Sequence, residues 1–141
     1  MSTETFVISY DDTPKSINHG GGGARRHWGM GYREKRHWEG IWGMLLIERK
    51  VPRGMMKAYV EVALEYADNR RRDAENYRQP ISKPLADALV GGGWIADDTQ
   101  DFFEMGYLKI VSGVDLGESL GVTGHVRSRT TVTIEAEYEA A

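Results

Sequence analysis

The chain has 141 residues and a mass of 15.9 kDa, with 40% apolar and 28% charged residues, which suits one globular domain and excludes a disordered chain. It holds no Cys, and this excludes disulfides, thiolate catalysis, iron–sulfur ligation and cysteine-bound zinc. The formal net charge is −3, yet residues 24–57 carry nine Lys/Arg against three acids, while residues 95–141 carry three against nine.

A chain so divided can offer a basic face to phosphates and an acidic cluster to a cation, or simply two solvated surfaces. The first residues are neither basic nor followed by an apolar segment. No apolar run approaches the ~20 residues of a membrane span, so a cytoplasmic protein is expected. Thr5–Tyr10 is short and β-rich and predicts a first strand. Asp11 to Gly23 reads as a loop, with Pro14 and the run Gly20–Gly23 opposing regular structure. From Arg33 to about Arg49 the chain lacks Pro and sets Trp38, Ile41, Trp42 and Leu45 at helical spacing. Gly40 and Gly43 weaken that helix by roughly 1 kcal/mol each relative to Ala.

Pro52-Arg53-Gly54 marks a turn, and Met56–Tyr66 alternates as a half-buried strand with Ala58, Val60, Val62, Leu64 and Tyr66 inward. The charged stretch from Asn69 to Glu75 leaves the sheet. A second helix is expected from Ile81 to Val90, capped by Ser82, with Pro84 in its first turn and Gly91–Gly93 ending it. Phe102–Val111 and Thr130–Tyr138 read as strands, the latter with Val132, Ile134, Ala136 and Tyr138 on one face. The order β-α-β-α-β-β predicts a single α+β domain, a mixed four-stranded sheet with helices packed on one face.

The segment richest in chemistry is Arg70-Arg71-Arg72-Asp73-Ala74-Glu75-Asn76, followed by Lys83, Asp87-Ala88-Leu89 and Trp94-Ile95-Ala96-Asp97-Asp98. Asp73 and Glu75 are two apart and point the same way in an extended segment. With Asp98 from the next loop they form an all-oxygen set suited to Mg²⁺, beside arginines suited to phosphates. Taken alone, the pattern reads more readily as a charged turn whose ion pairs contribute ~0–1 kcal/mol each. His19, Gly20–Gly23, Arg25, Arg26 and His27 make a basic loop, either a contact to a DNA backbone or a solvated connection. It lacks the G-x-x-x-x-G-K-[ST] of a phosphate-binding P-loop. Trp28, Trp38 and Trp42 can stack on unpaired bases, although the helical spacing of Trp38 and Trp42 favours the core. The four His residues show no metal-ligand spacing.

As a whole this arrangement resembles the RusA-type Holliday-junction resolvase family. In that family a basic run precedes D-x-D-N, a K-x-x-x-D-A-L helix follows, and then come a Gly with an aromatic and a D-D-x-Q pair. Here the matching residues are Asp73-Ala74-Glu75-Asn76, Lys83 to Leu89, Gly93-Trp94 and Asp97-Asp98-Thr99-Gln100. Pro14-Lys15-Ser16-Ile17-Asn18 is similar to the family's P-P-S-x-N. The resemblance spans nearly the whole chain and is strongest between Arg70 and Gln100.

It implies a homodimeric, Mg²⁺-dependent (or Mn²⁺-dependent) endonuclease that nicks opposed strands of four-way DNA junctions, with no small-molecule cofactor. Asp73, Glu75 and Asp98 would be the metal ligands, with Asp97 beside them, and Lys83 would act at the scissile phosphate. Arg72 would contact DNA, and Asn76 follows the second acid as in the family pattern. Many members are phage-encoded, which implies a phage origin and the cytoplasm of a bacterial host. Glu75 stands where the family more often has Asp. The interval from Asn76 to Lys83 is about four residues longer than usual, roughly one helical turn. Net acidity is also unusual for a DNA-binding protein. A flap or general branched-DNA nuclease, and a DNA-binding protein without catalysis, are the alternative readings.

Overall fold

The computed structural model describes residues 2–17, 28–117 and 125–139, and for residues 28–30 the backbone alone. The elements are β1 (Ser2–Tyr10), α1 (Trp28–Glu48), β2 (Lys57–Tyr66), α2 (Glu75–Gly91), β3 (Phe103–Val111) and β4 (Ser128–Tyr138). They form one four-stranded sheet in the order β1-β4-β2-β3. β4 pairs antiparallel with both β1 and β2, whereas β2 and β3 are parallel and joined through α2. This is the α+β, mixed-sheet architecture that the element order implies.

Alternation along β2 sets the sheet's buried face: Ala58, Val60, Val62, Leu64 and Tyr66 are buried. Val132, Ile134 and Ala136 of β4 lie across from them and join the same core. α1 contributes Trp38, Ile41, Trp42 and Leu46, and α2 contributes Ile81, Leu85 and Leu89. Trp38 and Trp42 are 1% and 0% exposed, with ring centroids 5.5 Å apart, so the core role prevails over base stacking for both. α1 begins at Trp28, five residues before the expected start, and its buried stripe ends on Leu46, with Leu45 only half-buried.

β3 keeps its apolar residues inward by a shift of phase. Val60 pairs with Met105 but Val62 with Leu108, so one residue of β2 faces two of β3 at a bulge over Gly106–Tyr107. Phe103 and Met105 before the bulge, and Leu108 and Ile110 after it, therefore all pack on the core. The Arg78 guanidinium from α2 donates to the Met105 and Gly106 carbonyl oxygens at 3.2 and 2.9 Å. Those acceptors lie on an edge strand, where the sheet offers them no further neighbour.

The main correction to the sequence reading concerns α2, which starts at Glu75 rather than Ile81, with Pro80 and Pro84 inside it and Ser82 in mid-helix instead of at the cap. Asp73 stands in the turn just before the helix: its Oδ1 accepts the Glu75 N–H and its carbonyl oxygen accepts the Asn76 N–H, each at 3.1 Å. Proline at 80 has no N–H for the Asn76 carbonyl four residues back. That acceptor is taken by the Ile17 N–H at 2.8 Å, so the lost helical bond becomes a tertiary one. At the other end Gly93 adopts a φ of 79° and closes a Schellman turn, with Trp94 N–H on the Leu89 carbonyl at 2.8 Å and Gly93 N–H on that of Val90 at 3.1 Å.

Candidate functional site

Parallel strands β2 and β3 run towards the same end of the sheet, and α2 begins there. The crevice beyond the carboxyl ends of such strands is where open sheets commonly bind ligands. Asp68 and the Arg70–Arg72 run lie between β2 and α2, and Asp73 and Glu75 open the helix. Asp73 is exposed, with Oδ1 engaged by the Glu75 amide. The Glu75 side chain is 79% exposed, and its carboxylate stands 3.9 Å from Arg78 Nε.

The three arginines divide into two kinds. Arg72 is folded inward, its side chain only 9% exposed, with its guanidinium carbon 3.5 Å from the centroid of the Tyr66 ring. Its two terminal nitrogens bond both Asp68 oxygens, at 2.8 and 3.1 Å. These bonds, with the Arg70 N–H, hold the Asp68 carboxyl below the usual carboxylate range. Burial pushes the Tyr66 hydroxyl up to about 12, so Arg72 faces a neutral ring at ordinary pH. Arg70 and Arg71 are exposed, and among the described residues their side chains have no ion-pair partner. A guanidinium already clamped in this way is a structural group first, whereas Arg70 and Arg71 stand exposed.

Lys83 and Asp98 meet elsewhere. Lys83 lies eight residues beyond Glu75 on the same helix, which is ~12 Å along the axis and ~80° around it. Its ammonium stands 3.6 Å from Asp98 Oδ2 and 3.6 Å from Asp87 Oδ1. Asp87 also takes Lys35 of α1 at 2.8 Å, and this hydrogen bond raises the Lys35 ammonium pKa although burial opposes it. Asp97 is exposed and turns its Oδ1 to the Asp98 N–H at 2.8 Å, which orients the loop that carries Asp98.

Thus α2 carries Glu75 and Lys83, with Asp73 two residues before its start, and the fold brings Asp98 to Lys83 across fifteen residues of sequence. The oxygen-only donor set has the chemistry a hard divalent cation prefers. Its two halves stand at different turns of α2, and among the described residues no three acidic or His side chains are grouped as ligands for one ion. Asn76 is half-buried in the first turn, and its backbone carbonyl is the acceptor for Ile17. Arg25 and Arg26, and the side chain of Trp28, lie outside the described residues.

Two further basic residues of the 24–57 stretch are engaged within the fold. Arg53 stacks on Trp94 at 4.5 Å and donates to the Gly92 carbonyl, and Lys57 pairs with Glu104. Sequence reasoning missed two partners, Asp68 and Lys35. Asp68 precedes Arg72 by four residues but in a non-helical segment, where that spacing carries no signal. Lys35 reaches Asp87 only because α1 packs against α2. No helix among the described residues is long and apolar enough to cross a membrane. Compared with known families and with curated proteins, the chain matches no family model and none of those proteins.

Proposed function

We propose that the protein is a metal-dependent endonuclease that resolves four-way DNA junctions as a homodimer. The observation that carries this reading is the contact between Lys83 and Asp98. Two groups assigned separate catalytic roles by the RusA-like motif order, one on a helix and one on a distant loop, lie within ion-pair distance. In this reading Asp73 and Glu75 at the head of α2 and Asp98 beside Lys83 would hold Mg²⁺ or Mn²⁺ by drawing together about the ion, with Asp97 steadying the Asp98 loop. The bound ion supplies Lewis-acid activation of a phosphodiester and of a water. Arg70 and Arg71 bind flanking phosphates, and Lys83 stabilises negative charge that grows on the attacked phosphate. Arg72 acts through position, holding the turn before Asp73 against Tyr66. A two-fold dimer places one such site on each of two opposed strands.

One observation favours a second reading, a DNA-binding protein without nuclease activity. The longer Asn76–Lys83 interval is helical throughout, so it moves Lys83 ~6 Å along and ~40° around α2 relative to the shorter spacing. The deciding experiment is cleavage of a synthetic four-way junction in Mg²⁺ and in EDTA, with linear duplex and flap controls, by wild type and Asp73→Asn. The resolvase reading expects paired symmetric nicks that require metal and vanish in the variant. Junction binding without nicking in Mg²⁺ or Mn²⁺ would refute the enzyme and leave the binding protein, while preferred cutting of the flap would make it a general branched-DNA nuclease.

A further inference from the structure

The cleft between α1, the middle of α2 and the segment after β1 has a volume of about 230 Å³ and is lined by Lys15, Lys35 and Lys83 against a single acid, Glu34. Ile17, Pro80 and Pro84 give it apolar surface between the charges. Three separate segments supply the lysines, and specific bonds hold those segments together. Pro80 leaves the Asn76 carbonyl to the Ile17 N–H, which docks residues 14–17 on α2. The Lys15 N–H donates to Glu34 Oε1 at 3.4 Å, and the same oxygen accepts from Trp38 Nε1 at 3.3 Å, which turns the one acid towards the walls. Asp87 fixes Lys35, and Asp87 with Asp98 flanks Lys83. The Lys15 side chain has no ion-pair partner among the described residues.

We propose that this cleft seats a backbone phosphate of bound DNA, with Lys15 and Lys35 as its cationic ligands and Lys83 shared with the carboxylate site. Neither Lys15 nor Lys35 belongs to the expected catalytic set, and Lys15 stands where the P-P-S-x-N pattern has its second proline. Asp87 and Asp98 hold Lys35 and Lys83 in place along the cleft while Lys15 brings a charge that no acid among the described residues pairs, and an ammonium offers three donors without demanding a planar acceptor, which suits a tetrahedral phosphodiester. The apolar surface suits a sugar, and the cleft is large enough for a phosphate with the sugar attached to it. The inference rests on the nucleic-acid part of the proposed function but not on cleavage.

The test is fluorescence anisotropy of a labelled four-way junction in EDTA, across a series of NaCl concentrations, for wild type, Lys15→Gln, Lys15→Arg and Lys35→Gln. Each Gln variant should bind several-fold more weakly at low salt and lower the slope of log K against log salt by about one, while Lys15→Arg keeps the wild-type slope. Lys15→Gln is decisive, because it breaks no ion pair among the described residues and should melt like wild type. Wild-type affinity and slope in both Gln variants would overturn the cleft. If Mg²⁺-dependent cleavage persisted beside that result, the nuclease reading would stand without it. Weakened binding by a protein that never cuts would support the cleft and sink the nuclease. Competition by inorganic phosphate as effective as competition by unlabelled junction would show a free-anion site and overturn the DNA assignment. Absence of DNA binding by wild type would overturn both.

Discussion

Replacing Pro80 by Ala tests how α2 tolerates its prolines and what they build. The substitution restores an N–H beneath the Asn76 carbonyl and removes the ring crowded against it, relieving a helix-interior penalty of about 3 kcal/mol. Two losses oppose this. The Ile17 N–H loses its sole use of that carbonyl, about 1 kcal/mol, and the denatured chain regains freedom, about 0.7 kcal/mol. The helix term wins, and the variant should be more stable by roughly 1 kcal/mol, a rise in Tm of about 3–4 °C for a chain of this size. Calorimetry reads the net effect, and amide hydrogen exchange separates its parts. Protection at Ile17 should fall while that of residues 80 and 81 rises. A lower Tm with Ile17 still protected would refute the reasoning, because the carbonyl would then not be the shared acceptor. The same variant should bind the labelled junction more weakly, since the segment bearing Lys15 is held less firmly.

Gly92→Ala should destabilise the end of α2, because its Cβ would lie 2.1 Å from the ring of Trp94, a side chain 2% exposed whose Nε1 donates to the Val51 carbonyl at 2.9 Å. Overpacking at such a site costs about 1–3 kcal/mol. Urea denaturation should show a lower midpoint, and the Gly92→Ala/Trp94→Leu pair should be less destabilised than the sum of its singles; strict additivity would refute the contact. Asp68→Asn should remove the Arg72 clamp and flatten the acid limb of the stability curve. The folded-state pKa of Asp68 is depressed, so its contribution is present above the unfolded value near 3.8 and is lost as pH falls through the folded one. Wild type and variant should therefore differ in Tm at neutral pH and converge in acid, and a difference that persisted at the lowest pH would point to packing instead.

Much of this protein follows from local patterns. Period-two alternation in residues 57–66 and 130–138 places β2 and β4, because a strand with one wet face must alternate. Gly91–Gly93 ends α2, because only a residue without Cβ adopts the left-handed turn at Gly93 at little cost. The pairing of Lys83 with Asp87 is likewise written in an i,i+4 spacing. The start of α2 is not. Pro84 suits a first helical turn and so points locally to a start near Ser82, whereas Pro80 sits inside the helix and the bond it breaks is satisfied by Ile17, some sixty residues earlier in the chain.

The candidate site divides in the same way. The sequence by itself determined which residue types are present and their order, and on that order the proposed resolvase roles rest. It could not tell that Arg72 is folded against Tyr66 while Arg70 and Arg71 are exposed, because three adjacent arginines look alike until the turn is folded. Nor could it place Lys15 and Lys35 beside Lys83. Their meeting depends on how α1 packs on α2 and on where the segment after β1 is tied, and a cluster of charges assembled from three distant segments has no period in the chain that carries it.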